Sequence, residues 1–299
     1  MSFSVVQIYM RKLLLIILMA ILLPMGTISA KNKYALLVGI SNYHAIIPNT
    51  EWNDIHGVND VRLISPILRD QGFHIDELLD DKATYKNIIS RLNMLIKRST
   101  KGAIVYLHFS CHGQPFEDLD GDEQDGWDES IVPVDAPISY RKGQYEGQRH
   151  LIDDELNKYV ERLRQKVGNT GYVYVVIDAC HSGRSSRDLD EVHLVRGTKR
   201  GFSPSGLTYK PKREKETHYK LSSSSSMAPI TYLEACKSTQ YNTEIKRHNS
   251  YYGPLSYYIS RVLAHHILGT DNKWAYKVKE FMNKDISVQN QDMVIETSN

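Results

Sequence analysis

The apolar residues of this chain follow two alternating patterns. Lys33–Ile40 (KYALLVGI), Ala103–Phe109 (AIVYLHF) and Tyr172–Asp178 (YVYVVID) are short apolar runs with no helical period and read as buried strands, with Phe73–Leu78 as another. Between them, Asn59–Gln71 sets Val61, Ile64 and Leu68 on one helical face, although Pro66 inside it predicts a kink or a shortened helix. Thr84 is placed to cap a helix whose Ile88, Leu92, Leu95 and Ile96 recur at i, i+4, i+7 and i+8, and Asp153–Lys166 reads as a further helix. Later, Ile230–Cys236 reads as a strand, Leu255, Ile259, Val262 and Leu263 line a helix, and Lys273–Lys284 is a last helix. Fully apolar strands alternating with helices predict an α/β fold, a mostly parallel central sheet covered on both faces.

Two stretches break this rhythm. Residues 1–30 carry Arg11 and Lys12, then the apolar run Leu13–Met25, then small and polar residues ending in Ser29-Ala30. That order reads as a signal peptide, since the run is short of the ~20 residues of a membrane span and Pro24 favours cleavage over anchoring. The expectation is a periplasmic or secreted protein with no stable membrane anchor after cleavage. The second stretch, about 184–227, has no period. Arg196–Lys220 holds eight Lys or Arg against two Glu, and Ser222–Ser226 is a run of five serines, so a flexible basic and Ser-rich linker is expected here.

With 299 residues, 41% hydrophobic and 24% charged, the chain is neither a disordered nor a multi-span membrane protein. It is long enough to bury a core without a disulfide or metal staple, and its three cysteines (Cys111, Cys180, Cys236) imply no disulfide framework. Taking Arg11 and Lys12 from the 37 basic residues leaves 35 against 35 acidic ones, so net charge offers no support for nucleic-acid binding.

Candidate chemistry sits at two strand ends. Ser110-Cys111-His112 follows one apolar strand and Asp178-Ala179-Cys180 another. In an open parallel sheet, ligands bind beyond the carboxyl ends of the strands. A cysteine attacks as thiolate and needs a base near it, which makes Cys180 and His112 a candidate dyad, with Gly113 able to bring a backbone N–H close to a substrate carbonyl. Residues i and i+2 of an extended segment face the same way, so Asp178 points with Cys180 and Ser110 with His112. A carboxylate beside the nucleophile favours a cationic side chain on the substrate. Zinc held by Cys111, His112, Cys180 and His181 is the weaker alternative, because adjacent extended residues diverge and the usual C-x₂₋₄-C loops are absent.

These segments resemble the bacterial metacaspases, caspase-fold cysteine peptidases. The matching blocks stand in family order: KYALLVGISNY, GVNDVR (57–62), SCHG (110–113), DGWDESIVPVD (125–135), DDEL (153–156), VVIDACHSG (175–183), EACKSTQYNTE (234–244) and GPLSYY (253–258). The resemblance implies a three-layer α/β/α sandwich over 31–299 with about six strands, split by the linker into halves like large and small subunits. It implies Cys180 as nucleophile, His112 as general base and acid, the N–H groups of Gly113 and Cys180 as oxyanion hole, and Asp60, Ser110 and Asp178 as the pocket for Arg or Lys. An acidic pocket excludes selection of Asp. By the same resemblance Asp128, Asp153, Asp154 and Asp188 are candidate calcium ligands. The acidic stretch Asp118–Glu129 has the wrong register for an EF-hand. No cofactor is needed for the chemistry, and Ca²⁺ would act as an activator.

Members of the family often cut themselves between their halves, and Arg196, Lys199, Arg200, Lys210, Lys212 and Arg213 are the candidate sites here. The expected partners are peptides or proteins with Arg or Lys before the scissile bond, and the expected state is a monomer. The competing function is a catalytically silent caspase-fold binding protein. The intact SCHG and DACHSG segments count against it.

Overall fold

The computed structural model describes residues 31–123, 125–180, 194–210, 221, 224–288 and 290–298. The expected signal peptide, His181, Asp188 and much of the expected linker lie outside them. Residues 32–299 form one compact unit.

The apolar runs become the central strands β1 (Lys33–Gly39), β2 (Phe73–Leu79), β3 (Ile104–Ser110), β7 (Tyr172–Asp178) and β8 (Ile230–Glu234). Together with β11 (Val294–Thr297) they form a six-stranded sheet in the order β11-β8-β7-β3-β1-β2. All neighbours are parallel except β11, which runs antiparallel to β8. Alternate residues feed opposite cores. Leu36 and Val38 pack with the helices α2 (Tyr85–Arg98) and α3 (Asp153–Val167), while Ala35 and Leu37 pack with α1 (Gly57–Asp70), α4 (Pro254–Leu263) and α5 (Lys273–Lys284). This is the three-layer arrangement that the alternation predicts.

Helix α1 runs through Pro66 and keeps its buried face, so the proline does not displace the first turn. Thr84 caps α2 by accepting from Asn87 N at 3.3 Å. A second, antiparallel sheet was not legible in the pattern: β4 (His112–Glu117), β5 (Trp127–Val132) and β6 (Leu151–Ile152). The chain changes sheets at Cys111, between the end of β3 and the start of β4. A short hairpin, β9 (Ile245–Arg247) and β10 (Ser250–Tyr252), precedes α4. Among the described residues no helix is long and apolar enough to cross a membrane.

Candidate active site

In-register pairing sets Ser110 of β3 opposite Asp178 of β7, so the two candidate tripeptides leave the sheet side by side. Ile40 N donates to Ser110 O at 3.0 Å and Gly57 N to Ile40 O at 3.2 Å, which ties the start of α1, and with it Asp60, to the same edge.

What lies over these strand ends is the chain itself. The carbonyl oxygen of Arg196 accepts from Cys180 N at 2.9 Å and from Gly113 N at 3.2 Å, the two amides expected to form an oxyanion hole. The backbone on either side is held in extended form. Arg196 N donates to Asn242 O at 2.9 Å and Glu244 N to Leu194 O at 2.9 Å, with Val195 opposite Thr243 in an antiparallel bridge. Gly197 follows directly, and a Cβ there would come within 2.0 Å of Cys180 O, so only glycine permits this approach. Arg196–Phe202, expected to be part of a flexible linker, is instead seated on the strand ends and along β4. Local periodicity cannot reveal this, because the partners come from distant parts of the sequence.

The Arg196 guanidinium is wholly buried. Its Nη1 lies 2.6 Å from Asp60 Oδ2, 2.6 Å from Ser110 Oγ and 3.5 Å from Asp178 Oδ1, and its Nη2 lies 2.9 Å from Glu244 Oε1. The structure therefore brings Asp60, Ser110 and Asp178 together and adds Glu244, which sequence reasoning quoted within a matching block without a role. The carboxylates are themselves braced. Ser110 Oγ donates to Asp60 Oδ2 at 2.6 Å, Asn242 Nδ2 to Asp178 Oδ1 at 2.7 Å, and Ser256 N to Asp178 Oδ2 at 2.8 Å. His56 N donates to Glu244 Oε1 at 2.7 Å.

Burial acts against ionisation here and Arg196 acts for it. Burial, with Asp178 and Glu244 nearby, pushes Asp60 up to about 7 even though Arg196 pulls the other way. For Glu244 the burial cost is outweighed by Arg196 and the His56 hydrogen bonds, and its carboxyl stays below the usual range. The guanidinium, despite burial, is held charged by the three carboxylates.

His112 is buried, stacked on Trp52 at 4.8 Å and tilted against Tyr43 at 4.7 Å. Its Nε2 lies 2.8 Å from Asn53 O. A carbonyl can only accept, so Nε2 carries the proton and Nδ1 carries the lone pair. Nδ1 is buried with no hydrogen-bond partner among the described residues. Burial lowers the imidazole to about 4, partly opposed by the Asn53 hydrogen bond, so the ring is neutral near pH 7. Cys180 Sγ donates to Gln240 O at 2.9 Å, and Cys236 Sγ reaches the same oxygen at 3.7 Å. The hydrogen bond with Cys180 and burial push the Cys236 thiol up, and burial pushes Cys111 up to about 12, which leaves both as unreactive packing thiols. Asn53 stands in no quoted segment, and Gln240, Asn242 and Glu244 stand in the matching block EACKSTQYNTE, where nothing local assigns them a role.

Of the expected calcium residues, Asp128 lies on β5 and Asp153 and Asp154 open α3, while Asp188 lies outside the described residues. Carboxylate oxygens of Asp118, Asp122 and Asp128 converge within 4.8 Å of one another, as do those of Asp120, Asp122 and Asp154. Asp153 and Asp154 border a depression of about 200 Å³ with Asp122, Glu123 and Asn157. Asp153 Oδ1 is buried without a hydrogen bond among the described residues. Burial first, then Asp118 and Asp154, pushes Asp128 up to about 7. The loop that the EF-hand register had set aside thus supplies carboxylates, although in a different arrangement.

Comparison with known proteins bears on the family and the fold. A family model described as "Metacaspase, peptidase C14 domain" matches residues 33–189, just over half of the chain. Metacaspase-1B of Aspergillus fumigatus is 34% identical over 178 residues, which cover 56% of this chain and 39% of that protein. Metacaspase-1 of Eremothecium gossypii is 33% identical over 178 residues, covering 56% of this chain and 35% of that protein. The match thus spans less than half the length of these relatives. A crystal structure of a Geobacter sulfurreducens protein superposes with a TM-score of 0.59 at 20% identity, covering 89% of this chain and 93% of that one, a likeness of fold alone.

Proposed function

Since this chain belongs to the metacaspase family of cysteine peptidases, we propose that it is an endopeptidase cutting after Arg or Lys, with Cys180 and His112 as its dyad, and that its first substrate is its own Arg196–Gly197 bond. The single observation behind this reading is the double one at Arg196. Its carbonyl oxygen accepts from both candidate oxyanion-hole amides while its guanidinium fills the acidic pocket. A substrate arginine before the scissile bond would take those same contacts.

The chemistry follows from the donors present. The thiol leaves the Gln240 carbonyl and passes its proton to His112 Nδ1, the free lone pair of the neutral ring. The thiolate adds to the carbonyl carbon, and the charge that develops on oxygen meets the N–H groups of Gly113 and Cys180. Collapse breaks the C–N bond as Nδ1 returns its proton to the leaving amine, giving a thioester. Water then gives a proton to Nδ1 and its hydroxyl to the acyl carbon, and the thiol is restored with release of a carboxylic acid. In the uncut chain the cleft holds residues 194–197, so the enzyme is self-blocked until that bond is broken or the segment withdraws.

Calcium is the proposed activator, held by Asp128, Asp153 and Asp154, with Asp188 lying outside the described residues. Burial together with the crowding of Asp118 and Asp154 raises Asp128 to about 7, and Asp153 Oδ1 is buried with no hydrogen-bond partner among the described residues, an arrangement that suits such a cation. It would neutralise the acidic face and fix the loop bearing Asp118, Asp120 and Asp122. Export through residues 1–30 is proposed on their composition alone.

The test uses short fluorogenic peptides ending in Arg, Lys or Asp, with an arginyl chloromethyl ketone as covalent probe. The expected result is cleavage after Arg and Lys only, and labelling of Cys180 that disappears in His112→Ala. Preferential cleavage after Asp would overturn the reading.

A further inference from the structure

Beyond Gly197 the chain stays docked, and how it docks carries information about substrates. Phe202 N donates to Pro115 O at 2.8 Å and Glu117 N donates to Phe202 O at 2.9 Å, so the segment pairs in parallel with the free edge of β4. The side chain of Gln114 donates to Arg200 O at 2.8 Å. These contacts engage only the peptide's backbone and are open to any sequence.

The Phe202 side chain is different. It is fully buried in a small apolar cluster separate from the two cores of the main sheet. Its ring stacks on Phe116 at 5.0 Å, meets Tyr145 edge-on at 5.5 Å and Tyr140 edge-on at 6.1 Å, and lies 4.6 Å from His150. His150 is fixed in turn by Tyr145 Oη at 2.7 Å and Gln114 Oε1 at 2.8 Å, so this wall is braced independently of Phe202. The floor is Gly147, at φ 104°, where a Cβ would come within 2.6 Å of the Phe116 ring and 3.1 Å of the Phe202 ring. Every other member of the cluster belongs to the body of the domain. Phe202 alone comes from the segment that follows the bond under the oxyanion-hole amides.

We infer that this aromatic pocket is a substrate subsite on the leaving-group side, which selects a Phe, Tyr or Trp six residues after the scissile arginine. Phe202 is the sixth residue after Arg196. The inference rests on the reading that the cleft cuts after Arg, and it adds a second anchor to it. Backbone pairing along β4 holds the peptide's path, and the ring in the pocket sets its register, so that one particular arginine lies under the amides. Lys199 and Arg200, only three and four residues further on, cannot take that place while Phe202 keeps its own.

The test pairs two peptides, Leu-Val-Arg-Gly-Thr-Gln-Gln-Gly-Phe-Ser and the same sequence with Ala for Phe, against Phe202→Ala enzyme whose pocket is vacant. A short arginyl amide substrate with no residue at the sixth position is run alongside. The expected kcat/KM is roughly tenfold higher for the Phe peptide, as burial of one aromatic ring allows, with a smaller ratio on wild-type enzyme, where Phe202 competes. Equal values for the two peptides, with the short substrate still cut, would overturn the subsite. Failure of the short substrate would instead count against the peptidase reading. If Phe202→Ala does not fold, the same comparison on Phe202→Leu keeps the pocket partly filled, and there a Phe preference of at least twofold is expected and no preference overturns the proposal.

Discussion

Two clusters of carboxylates stand out among the described residues, and they differ in burial and in what balances their charge. At the strand ends, Asp60, Asp178 and Glu244 surround the Arg196 guanidinium, and each is further held by backbone or hydroxyl donors. Between β4 and β5 and at the start of α3, Asp118, Asp120, Asp122, Asp128 and Asp154 crowd one another, and beside them the buried Asp153 Oδ1 has no donor among the described residues. Burying carboxylates is costly unless a cation or several donors compensate. The first cluster is matched by a cation from its own chain, whereas the second, with Asp120 and Asp122 exposed and Asp118 and Asp154 half-buried, faces solvent. A pocket satisfied by the chain is a blocked pocket, and a cluster left to solution is a place where a dissolved ion can act.

The largest effect should come from removing the internal cation. In a Cys180→Ala background, Arg196→Gln leaves three buried carboxylates without their counter-charge, and urea unfolding is expected to show a loss of about 3–5 kcal/mol. Arg196→Lys should restore much of it. An unchanged stability would mean that the guanidinium does not balance the pocket, and the contrast between the clusters would fall.

A medium effect is expected in the pH dependence of arginyl peptide hydrolysis. With the Arg196 guanidinium beside it Asp60 sits at about 7, and a vacated cleft holds it higher still, so lowering the pH through that range protonates it and removes one of the charges that would face the substrate guanidinium. KM should rise on the acid side by up to about tenfold, and Asp60→Asn should abolish this limb. His112, at about 4, is already neutral above pH 5 and does not produce it.

The smallest effect concerns the second cluster. Asp128 is raised in the folded state, so its contribution to stability is fully present below pH ~4 and is lost as pH climbs through about 7. Cation-free protein should therefore lose stability over that window. Added calcium should raise Tm by a few degrees at pH 7.5 and less at pH 5, and Asp128→Asn should remove most of the gain. A calcium response of equal size at both pH values would break the assignment.

The sheet was legible because its strands are buried on both faces and so stand out as unbroken apolar runs, as in Ala103–Phe109 and Tyr172–Asp178. Parity set Asp178 with Cys180 and Ser110 with His112, and in the structure the Asp178 and Ser110 side chains both approach the Arg196 guanidinium. The antiparallel sheet escaped because β4 (HGQPFE) mixes a proline and polar residues with a single aromatic. Its pairing is decided by β5, more than ten residues later. Arg196 was legible only as one of six basic candidates in a segment without period, because its place depends on backbone pairing with residues 242–244 and on carboxylates from three separate parts of the chain. Glu244 stood at the end of a matching block, EACKSTQYNTE, but nothing local gave it a role.

The central claim is tested most directly by the new N terminus that appears when purified protein is allowed to process itself. The account predicts a fragment beginning at Gly197 in wild type and none in Cys180→Ala. A first cut after Lys199 or Arg200, or the same Gly197 fragment from the Cys180→Ala protein, would contradict it.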